Sequence, residues 1–413
     1  MSELPFDVGY LAIGAAAWVV AGLKLRAWRR EPSRGLLVVA LAIASPSTAF
    51  LIASPVLYRL VDRGTGVGNL ATLLVYLAIT GFSAAAVVLA LIWTPPAGSA
   101  GAVEWAAAPA ATWRRARHRL TVFAVLAPTM AGLFLLGGPY RPETPLTFDT
   151  TYATRPATAL FLALYQGLFA FALLDIARVC LGHAARLPEG WLRRGIRLIA
   201  FGGRTACGYV LCKIVAIGAT AAGTAGLDWL STGLGPVFAA AGAVLITAGF
   251  AGPAGAAFLR RRRDYRALRP LWDLVYRADR RLALEAPGSR RTERLAVRDL
   301  EWRTARRGLE IRDGQLTLRP WVDPAVLDAA AGVAERAGLD VAERAALTVA
   351  VALRSAVAAL AAGAAPRARE DQAVLPGLDA APAEERAHLV RVARCLHGPL
   401  TGEALAAAAG ATR

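Results

Sequence analysis

Residues 70–93 read Leu-Ala-Thr-Leu-Leu-Val-Tyr-Leu-Ala-Ile-Thr-Gly-Phe-Ser-Ala-Ala-Ala-Val-Val-Leu-Ala-Leu-Ile-Trp and contain no charged side chain. A helix of about 20 apolar residues crosses a hydrocarbon core of roughly 30 Å, and its backbone polar groups are satisfied within the helix. This stretch is therefore predicted to span a membrane. Similar stretches lie on both sides of it, and the predicted spans are Val8–Leu25, Gly35–Leu57, Leu70–Trp93, Leu120–Leu136, Ala157–Ala177, Leu198–Ala222 and Val237–Phe258.

Basic residues alternate between the loops on the two sides of these seven spans. One set of loops holds the basic clusters within 24–34, 114–119, 178–197 and 260–263, whereas the other set holds only Arg59, Arg63, Arg141 and Arg155. Cytoplasmic loops carry the excess of Lys and Arg, so the N-terminus is expected outside the cell and the chain after Phe258 in the cytoplasm. The expected location is the plasma membrane.

The overall composition agrees with a multi-pass membrane protein. Hydrophobic residues make up 56% of the chain and the mean hydropathy is +0.44, although the formal net charge is +17. The first residues lack a basic segment, so the first apolar stretch is interpreted as an uncleaved span and not as a signal peptide. The four cysteines predict neither a disulfide framework nor a metal site.

The composition changes after Phe258, and about 155 residues follow, enough for a small domain with its own core. Residues 260–319 contain 18 Arg against 9 Asp and Glu, whereas residues 320–413 contain 9 against 11. We expect domains at 1–259 and 260–413, that is, an all-α fold in which a seven-helix transmembrane bundle precedes a mainly helical cytoplasmic domain. The acidic second half, 320–413, is a candidate surface for a cytoplasmic protein partner.

Capping residues predict the helices of this tail. Asp323 before Pro324 and Asp340 before Glu343 are typical helix starts. The helices predicted from these and similar signals are Pro270–Asp279, Val297–Ile311, a helix from Pro324 that ends at Gly338, Ala345–Ala362, and Pro382–Leu396 after a turn at Pro376-Gly377. Asp313-Gly314 also suggests a short hairpin that joins Glu310-Ile311 to Leu316-Thr317-Leu318.

Several strings of the tail carry a resemblance to a known family. They are Leu268-Arg269-Pro270-Leu271-Trp272, Arg298-Asp299-Leu300, Glu310-Ile311-Arg312-Asp313-Gly314 and Leu318-Arg319-Pro320-Trp321. These strings occur in this order after seven predicted spans. With them the chain resembles an actinobacterial family of seven-helix membrane proteins that have a C-terminal domain of unknown function and are often labelled as transporters. The resemblance implies the same architecture, and it supplies no catalytic residues.

Charged residues inside the predicted spans are the candidate functional residues. Arg204 and Lys213 both lie in the sixth span, where such a side chain costs roughly 2.5–3.5 kcal/mol at the helix centre. Arg204 either extends back to the cytoplasmic interface or pairs with Asp175 of the fifth span. Lys213 has no predicted carboxylate at its depth. Its candidate partners are backbone carbonyls, Tyr209, Tyr165, Gln166 or a bound anion, so it is either a structural hydrogen-bond donor or part of a ligand site.

The basic cluster after the seventh span also allows two interpretations. Its residues Arg260, Arg261, Arg262 and Arg263 either stop translocation or bind anionic lipid head groups, which attract each basic residue by about 1 kcal/mol near the surface. His388, Cys395 and His397 are close in sequence but lack a third catalytic partner. No known catalytic motif is found, so the chain is not expected to be an enzyme or to need a cofactor or metal.

Two classes of function follow from these observations. The first is a membrane sensor or signalling scaffold, in which the bundle passes a change to the cytoplasmic domain through a short joint. The second is a transporter of a small solute, which could be anionic because Lys213 lies within a span. No internal repeat of the kind common in secondary transporters is apparent. Nucleic acid is not an expected partner, because the basic region lacks a recognition-helix pattern.

Overall fold

The computed structural model describes residues 3–93, 110–224, 226–282, 299–368, 372–376 and 381–411. In this part of the chain every regular element is helical, as the sequence predicts. The helices form two compact units, Met1–Gly255 and Ala256–Arg413.

The first unit is a bundle of long apolar helices with shorter helical segments between them. Its helices are α1 (Leu4–Arg30), α2 (Arg34–Ala53), α3 (Pro55–Thr65), α4 (Leu70–Trp93), α5 (Ala110–Gly137), α6 (Phe148–Thr151), α7 (Pro156–Arg186), α8 (Trp191–Ala221), a π-helical turn (Leu230–Leu234) and α9 (Gly235–Ala267). Each of the seven predicted spans lies largely within one long helix of this series, and these helices are long and apolar enough to cross a membrane. The chain is thus a multi-pass membrane protein.

The second predicted span ends earlier than expected. The prediction continued to Leu57, but α2 ends at Ala53 and a separate helix begins at Pro55. Ser54 accounts for the break, since its backbone is extended and its hydroxyl oxygen accepts a hydrogen bond from Leu57 N at 3.4 Å. Proline has no N–H to donate and suits the first turn of the new helix. Here a capping signal outweighs continuous hydrophobicity.

Glycines allow α8 and α9 to approach each other closely. A Cβ added at Gly202 would lie 2.8 Å from the carbonyl oxygen of Gly242, and one added at Gly195 would lie 2.7 Å from that of Gly249. The two glycines are seven residues apart on each helix, so both pairs lie on one contact line. Small residues that let two backbones approach closely are typical of helix interfaces inside membranes.

The second unit is helical throughout its described residues. It contains the end of α9, α10 (Arg269–Ala278), α11 (Leu300–Leu318), α12 (Pro324–Arg336), α13 (Val341–Ala361), α14 (Pro382–Cys395) and α15 (Pro399–Ala411). By length and composition α13 could also cross a membrane. Its apolar residues instead pack into both hydrophobic clusters of this unit, with Val349 and Leu353 in one and Leu347 and Val351 in the other. Residues 349–353 are all buried, so this part of α13 is covered on every side, which suits the centre of a domain.

Both predicted caps are present in the second unit. A carboxylate oxygen of Asp323 accepts from Ala325 N at 3.1 Å, and one of Asp340 accepts from Glu343 N at 2.7 Å. These bonds satisfy amides at the helix starts that have no partner within the helix. The helices predicted at 270–279 and 382–396 are also confirmed within one residue at each end. Val297 and Gly377 lie outside the described residues.

The predicted hairpin around Asp313-Gly314 is wrong. Helix α11 continues through both residues to Leu318. Gly314 is buried, and a Cβ at this position would lie 2.9 Å from Val275 Cβ and closer still to its Cγ1 methyl group. The glycine therefore permits close packing of α11 on α10 and does not form a turn.

Alanine at position 314 should accordingly destabilise the second unit. Gly314→Ala overpacks the contact with Val275 and should cost about 1–3 kcal/mol. Gly308→Ala is the matched control on the same helix, because its Cβ would meet nothing closer than 4.0 Å. The control should gain up to about 1 kcal/mol from helix propensity. Hydrogen exchange of α11 in the full-length protein measures both effects, and equal stabilisation by the two variants would contradict the packing argument.

Candidate functional site

Lys213, expected to lack a carboxylate neighbour, is in fact paired with Asp149. The ammonium group donates to Asp149 Oδ2, and it also donates to Ser231 Oγ at 2.9 Å. Lys213 is 8% and Asp149 2% exposed. The expectation failed because Asp149 belongs to the segment between the fourth and fifth spans, which hydropathy assigns to a loop. Helix α6 brings this carboxylate to a lysine that lies about 12 Å from the end of α8.

A second hydrogen bond and an aromatic group hold Asp149 in place. Tyr76 of α4 donates its hydroxyl hydrogen to the other carboxylate oxygen, Oδ1. The neighbouring Phe148 is buried and contacts the rings of Phe134, Tyr140 and Tyr152 at centroid distances of 5.0–6.0 Å. The packing of Phe148 and the ion pair of Asp149 therefore hold α6 in place.

Tyrosines from two further helices line the ion pair. The rings of Tyr76 and Tyr165 stack with centroids 4.0 Å apart and planes 9° apart. Tyr209 and Tyr165 share a side-chain hydrogen bond, and the Lys213 ammonium lies 5.7 Å from the centroid of the Tyr209 ring. Of the two predicted neighbours of Lys213, Tyr209 therefore lies near its ammonium group, and Tyr165 is bonded to Tyr209. The cluster of Lys213, Asp149, Tyr76, Tyr209, Tyr165 and Ser231 is called the polar cluster below.

Gln166, the remaining candidate from the fifth span, has no contact with Lys213 among the described hydrogen bonds. It is 2% exposed, and neither of its amide atoms has a hydrogen-bond partner within the part of the chain that the structure describes. Gln166 also lines neither of the cavities described below. The sequence proposed it together with Tyr165, but consecutive helical residues point in directions about 100° apart.

The predicted pair of Asp175 with Arg204 is wrong. Asp175 Oδ2 instead lies 3.5 Å from a guanidinium nitrogen of Arg119 in α5. Arg204 is exposed on α8. The prediction assumed that consecutive helices supply the partner, whereas α7 also packs on α5 and receives the arginine from there. This half-exposed pair is the natural comparison for the buried one.

Two adjoining cavities lie beside the polar cluster. The first has a volume of about 130 Å³ and a mainly apolar lining that includes Ile43, Ile79 and Phe169. The second has a volume of about 90 Å³ and is lined by Lys213 and Asp149 together with several hydroxyl groups. We call them the apolar chamber and the polar chamber. The chambers share five lining residues: Tyr10, Ala53, Val75, Tyr209 and Pro236.

A hydrogen-bonded network surrounds the polar chamber at the end of the bundle where α1 begins. Tyr58 donates to Asn69 Oδ1 at 2.7 Å, and Asn69 Nδ2 donates to the carbonyl oxygens of Tyr140 and Pro142 at 3.2 Å. Asp62 accepts from the backbone amides of Asn69 and Ala71 at the start of α4. Burial raises the pKa of Asp62, and these hydrogen bonds oppose that effect. The network joins the loop before α4 to the loop that carries Asp149.

The sequence reading did not select Asp62, Asn69 or Asp149. The available sequence signal was the presence of three short polar side chains between apolar stretches. In the structure Asn69 has the left-handed backbone conformation, which Asn tolerates better than most residues. Loops are normally solvent-exposed, so the sequence pattern gives no reason to pair a loop carboxylate with a residue within a span.

The basic cluster after the seventh span lies near the end of α9. Arg260, Arg261 and Arg263 are exposed and Arg262 is partly buried. Arg261 forms an ion pair with Glu301 at 2.9 Å. Exposed guanidinium groups are compatible with head-group binding, which stays a prediction here.

The His388 and Cys395 side chains have different environments. His388 is buried and Cys395 half-buried on α14, and burial lowers the pKa of the former and raises that of the latter. His397 is exposed beyond the helix. A raised pKa keeps the Cys395 thiol protonated, which is unfavourable for a nucleophile. Among the described residues, no three His, Cys, Asp or Glu side chains converge as metal ligands.

His388 should make the stability of the second unit depend on pH. Its lowered pKa means that the unfolded chain binds a proton more readily than the folded chain. Stability should therefore fall as pH decreases below about 6.5, by up to about 1.4 kcal/mol per pH unit. Hydrogen exchange of α14 between pH 7.5 and 5 measures this loss. His388→Gln should flatten the dependence and His397→Gln should not, and an identical slope in His388→Gln would refute the assignment.

Comparison with known families places one match on the second unit. Residues 257–398, about a third of the chain, match a family of unknown function (DUF6545). The match agrees with the expected C-terminal domain of unknown function, and it carries no information on source organism or transport. No curated protein and no solved structure matches the chain. The geometry of the bundle therefore provides the evidence on function.

Proposed function

We propose that this protein is a membrane sensor in which a site in the bundle controls the C-terminal helical domain. The observation that supports this most strongly is the course of α9. Pro236, Ala243 and Thr247 of this helix line the apolar chamber, and Pro236 also lines the polar chamber. The same helix continues without interruption to Ala267, beyond the residue at which the two units divide. A displacement at the chambers could therefore reach the second unit along this helix, which contains Pro253 before the boundary.

The polar cluster would hold the starting point of this helix. The π-helical turn that contains Ser231 leads directly into α9, and Ser231 Oγ is bonded to Lys213. Lys213 is in turn paired with Asp149 of α6. Whatever alters this cluster would also alter how the start of α9 is held. By the arginine asymmetry the cluster faces the outside of the cell and the second unit faces the cytoplasm.

Hydrogen exchange in the full-length protein in lipid nanodiscs tests the proposal. Asp149→Asn should increase exchange in α10 and α11 of the second unit, because it frees the start of α9. Asp175→Asn makes the same chemical change at the half-exposed pair with Arg119 and should leave the second unit unchanged. Where Asp149→Asn alone fails to fold, the double variant Asp149→Asn/Lys213→Met is used in its place.

A flexible insertion provides a separate test of the connection. Two glycines inserted between Gly255 and Ala256 interrupt α9 and should abolish the effect of Asp149→Asn on the second unit. The effect on the bundle itself should persist. The proposal fails if exchange in the second unit never responds to Asp149, or if it responds equally with and without the insertion.

Transport is the second candidate, supported by an ionisable pair beside a cavity within the bundle. The pair has no net charge, so a charged solute would have to separate Lys213 from Asp149 in order to bind either one. Leaving one member of a buried pair without its partner costs about 3–5 kcal/mol. The anionic solute suggested by an isolated lysine thus loses its main support. Substrate-dependent flux into liposomes would favour transport over sensing.

A further inference from the structure

We infer that the two chambers together bind a neutral amphipathic molecule, with a hydrogen-bonding head in the polar chamber and an apolar body in the apolar chamber. This inference rests on the proposed function, because it identifies the class of ligand that the sensor would detect.

The apolar chamber has the lining of a hydrocarbon site. Short side chains create the space, since alanines of four helices face it, whereas the larger Ile79 and Phe169 come from α4 and α7. The alanines are Ala17 of α1, Ala42, Ala49 and Ala53 of α2, Ala206 of α8, and Ala239 and Ala243 of α9. Its few hydroxyl groups include that of Ser47, which is already bonded to Ile43 O. Apolar cavities of comparable volume can remain dry and bind small hydrocarbons.

The shape of the apolar chamber favours an elongated occupant. Its lining on α9 extends from Pro236 to Thr247, which corresponds to about 16 Å along the helix. The volume of about 130 Å³ is therefore long and narrow. A single alkyl chain or a slim ring system fits such a space, whereas a lipid with two chains does not.

The polar chamber selects a head group without net charge. Its two charged residues, Lys213 and Asp149, are bonded to each other, and Asp149 also accepts from Tyr76. The other polar side chains of the lining are the hydroxyl groups of Tyr10, Tyr58, Thr72, Tyr209, Ser231 and Thr232. Five of these hydroxyl groups, all but that of Tyr10, already make a hydrogen bond within the part of the protein that the structure describes. A hydroxyl oxygen has two acceptor lone pairs, so the bonded groups can still accept from the hydroxyl or N–H group of an alcohol or an amide. An anion or cation would instead compete with the ion pair.

The two chambers adjoin each other, which suits a single molecule that has both a polar head and an apolar body. Tyr209 and Pro236 line both spaces, so the hydroxyl-rich end and the apolar end adjoin at these side chains. Ligand sites in proteins commonly combine a mainly apolar lining with a few polar groups that fix orientation. A neutral single-chain lipid and a dissolved alcohol with a compact apolar body both have this chemistry.

Photolabelling of the full-length protein in lipid vesicles tests the inference. The probe is a long-chain fatty alcohol with a diazirine in its alkyl chain, and the matched probes are the fatty acid and the fatty amine of the same length. The alcohol should label residues of the apolar chamber, located by mass spectrometry. The charged probes should label them about a hundredfold less, because each would have to disrupt the ion pair.

A cavity-filling variant provides the site-specific control. Ala243→Phe occupies the apolar chamber and should reduce labelling by the alcohol at least about tenfold. Ala241→Phe is the matched variant, since it makes the same change at an exposed position of α9 outside the chamber lining. Competition by water-soluble benzyl alcohol as strong as competition by unlabelled fatty alcohol would indicate a dissolved ligand. Weaker competition would indicate a membrane lipid.

Two results would overturn the inference: labelling by the acid or amine as strong as by the alcohol, and labelling that survives Ala243→Phe unchanged. The readout is occupancy alone and does not depend on signalling. Specific labelling without any response of the second unit in hydrogen exchange would therefore refute the sensor and retain the ligand site. A response of the second unit to Asp149→Asn without specific labelling would refute the ligand site and retain the sensor.

Discussion

Replacing Asp149 with asparagine should lower the free energy of unfolding of the bundle by about 3–5 kcal/mol. The reason is that the Lys213 ammonium, 8% exposed, would lose its carboxylate partner while it remains within the bundle. Lys213→Met should have an effect of similar size, because it leaves Asp149 buried without its cation. Unfolding in mixed detergent micelles, followed by tyrosine and tryptophan fluorescence, measures both changes.

The double variant distinguishes a true pair from two independent contacts. Asp149→Asn/Lys213→Met removes both charges at nearly constant volume and should cost much less than the sum of the single variants. Asp175→Asn is the control at the pair with Arg119, where the carboxylate side chain is 24% and the guanidinium side chain 40% exposed. It should cost about 1 kcal/mol or less. Additive losses at Asp149 and Lys213 would show that the two side chains do not depend on each other.

Leucine at position 202 should destabilise the bundle by about 3 kcal/mol or more, the second large effect. The added Cβ alone would lie 2.8 Å from Gly242 O and 2.9 Å from Ile246 N, so α8 and α9 would have to separate. Backbone atoms cannot move aside as the end of a flexible side chain can. The yield of monodisperse protein and its thermal stability measure the loss.

Gly218→Leu is the matched control for this substitution. Gly218 lies on the same helix, and a Cβ at this position would meet nothing within 4 Å. Replacing a helical glycine there should be neutral or stabilising by up to about 1 kcal/mol, since most residues favour helix more than glycine does. A loss as large as that of Gly202→Leu would mean that helix–lipid contacts, and not helix–helix packing, determine the effect.

Hydropathy alone was sufficient to locate the long helices, because span length follows directly from membrane thickness. Hydropathy could not identify the residues that pair with charged side chains inside these helices. Lys213 was recognised as the residue that most needed an explanation, but Asp149 was missed because its position in a loop gives no indication of depth. The contact joins residues 64 positions apart. A single sequence contains no record of such a pairing.

Local rules failed where packing decided the outcome. Asp313-Gly314 has the composition of a turn, yet the glycine lies within α11 because Val275 of α10 packs against this position and leaves no space for a Cβ atom. Asp175 was assigned to Arg204 by the order of the helices, yet the nearby arginine is Arg119 of α5. In both cases the missing information was which face of a helix meets which neighbour.

The central position of α13 has a consequence for how the chain is made. During synthesis this apolar helix reaches the insertion machinery as a segment that could enter the bilayer as an eighth span. Arg354, near its middle, donates to Leu396 O at 3.0 Å in the folded unit. The same guanidinium would cost roughly 2.5–3.5 kcal/mol in the centre of a membrane span. A residue that ties α13 to α14 after folding thus also discourages insertion before folding, and so preserves the sidedness of everything that follows it.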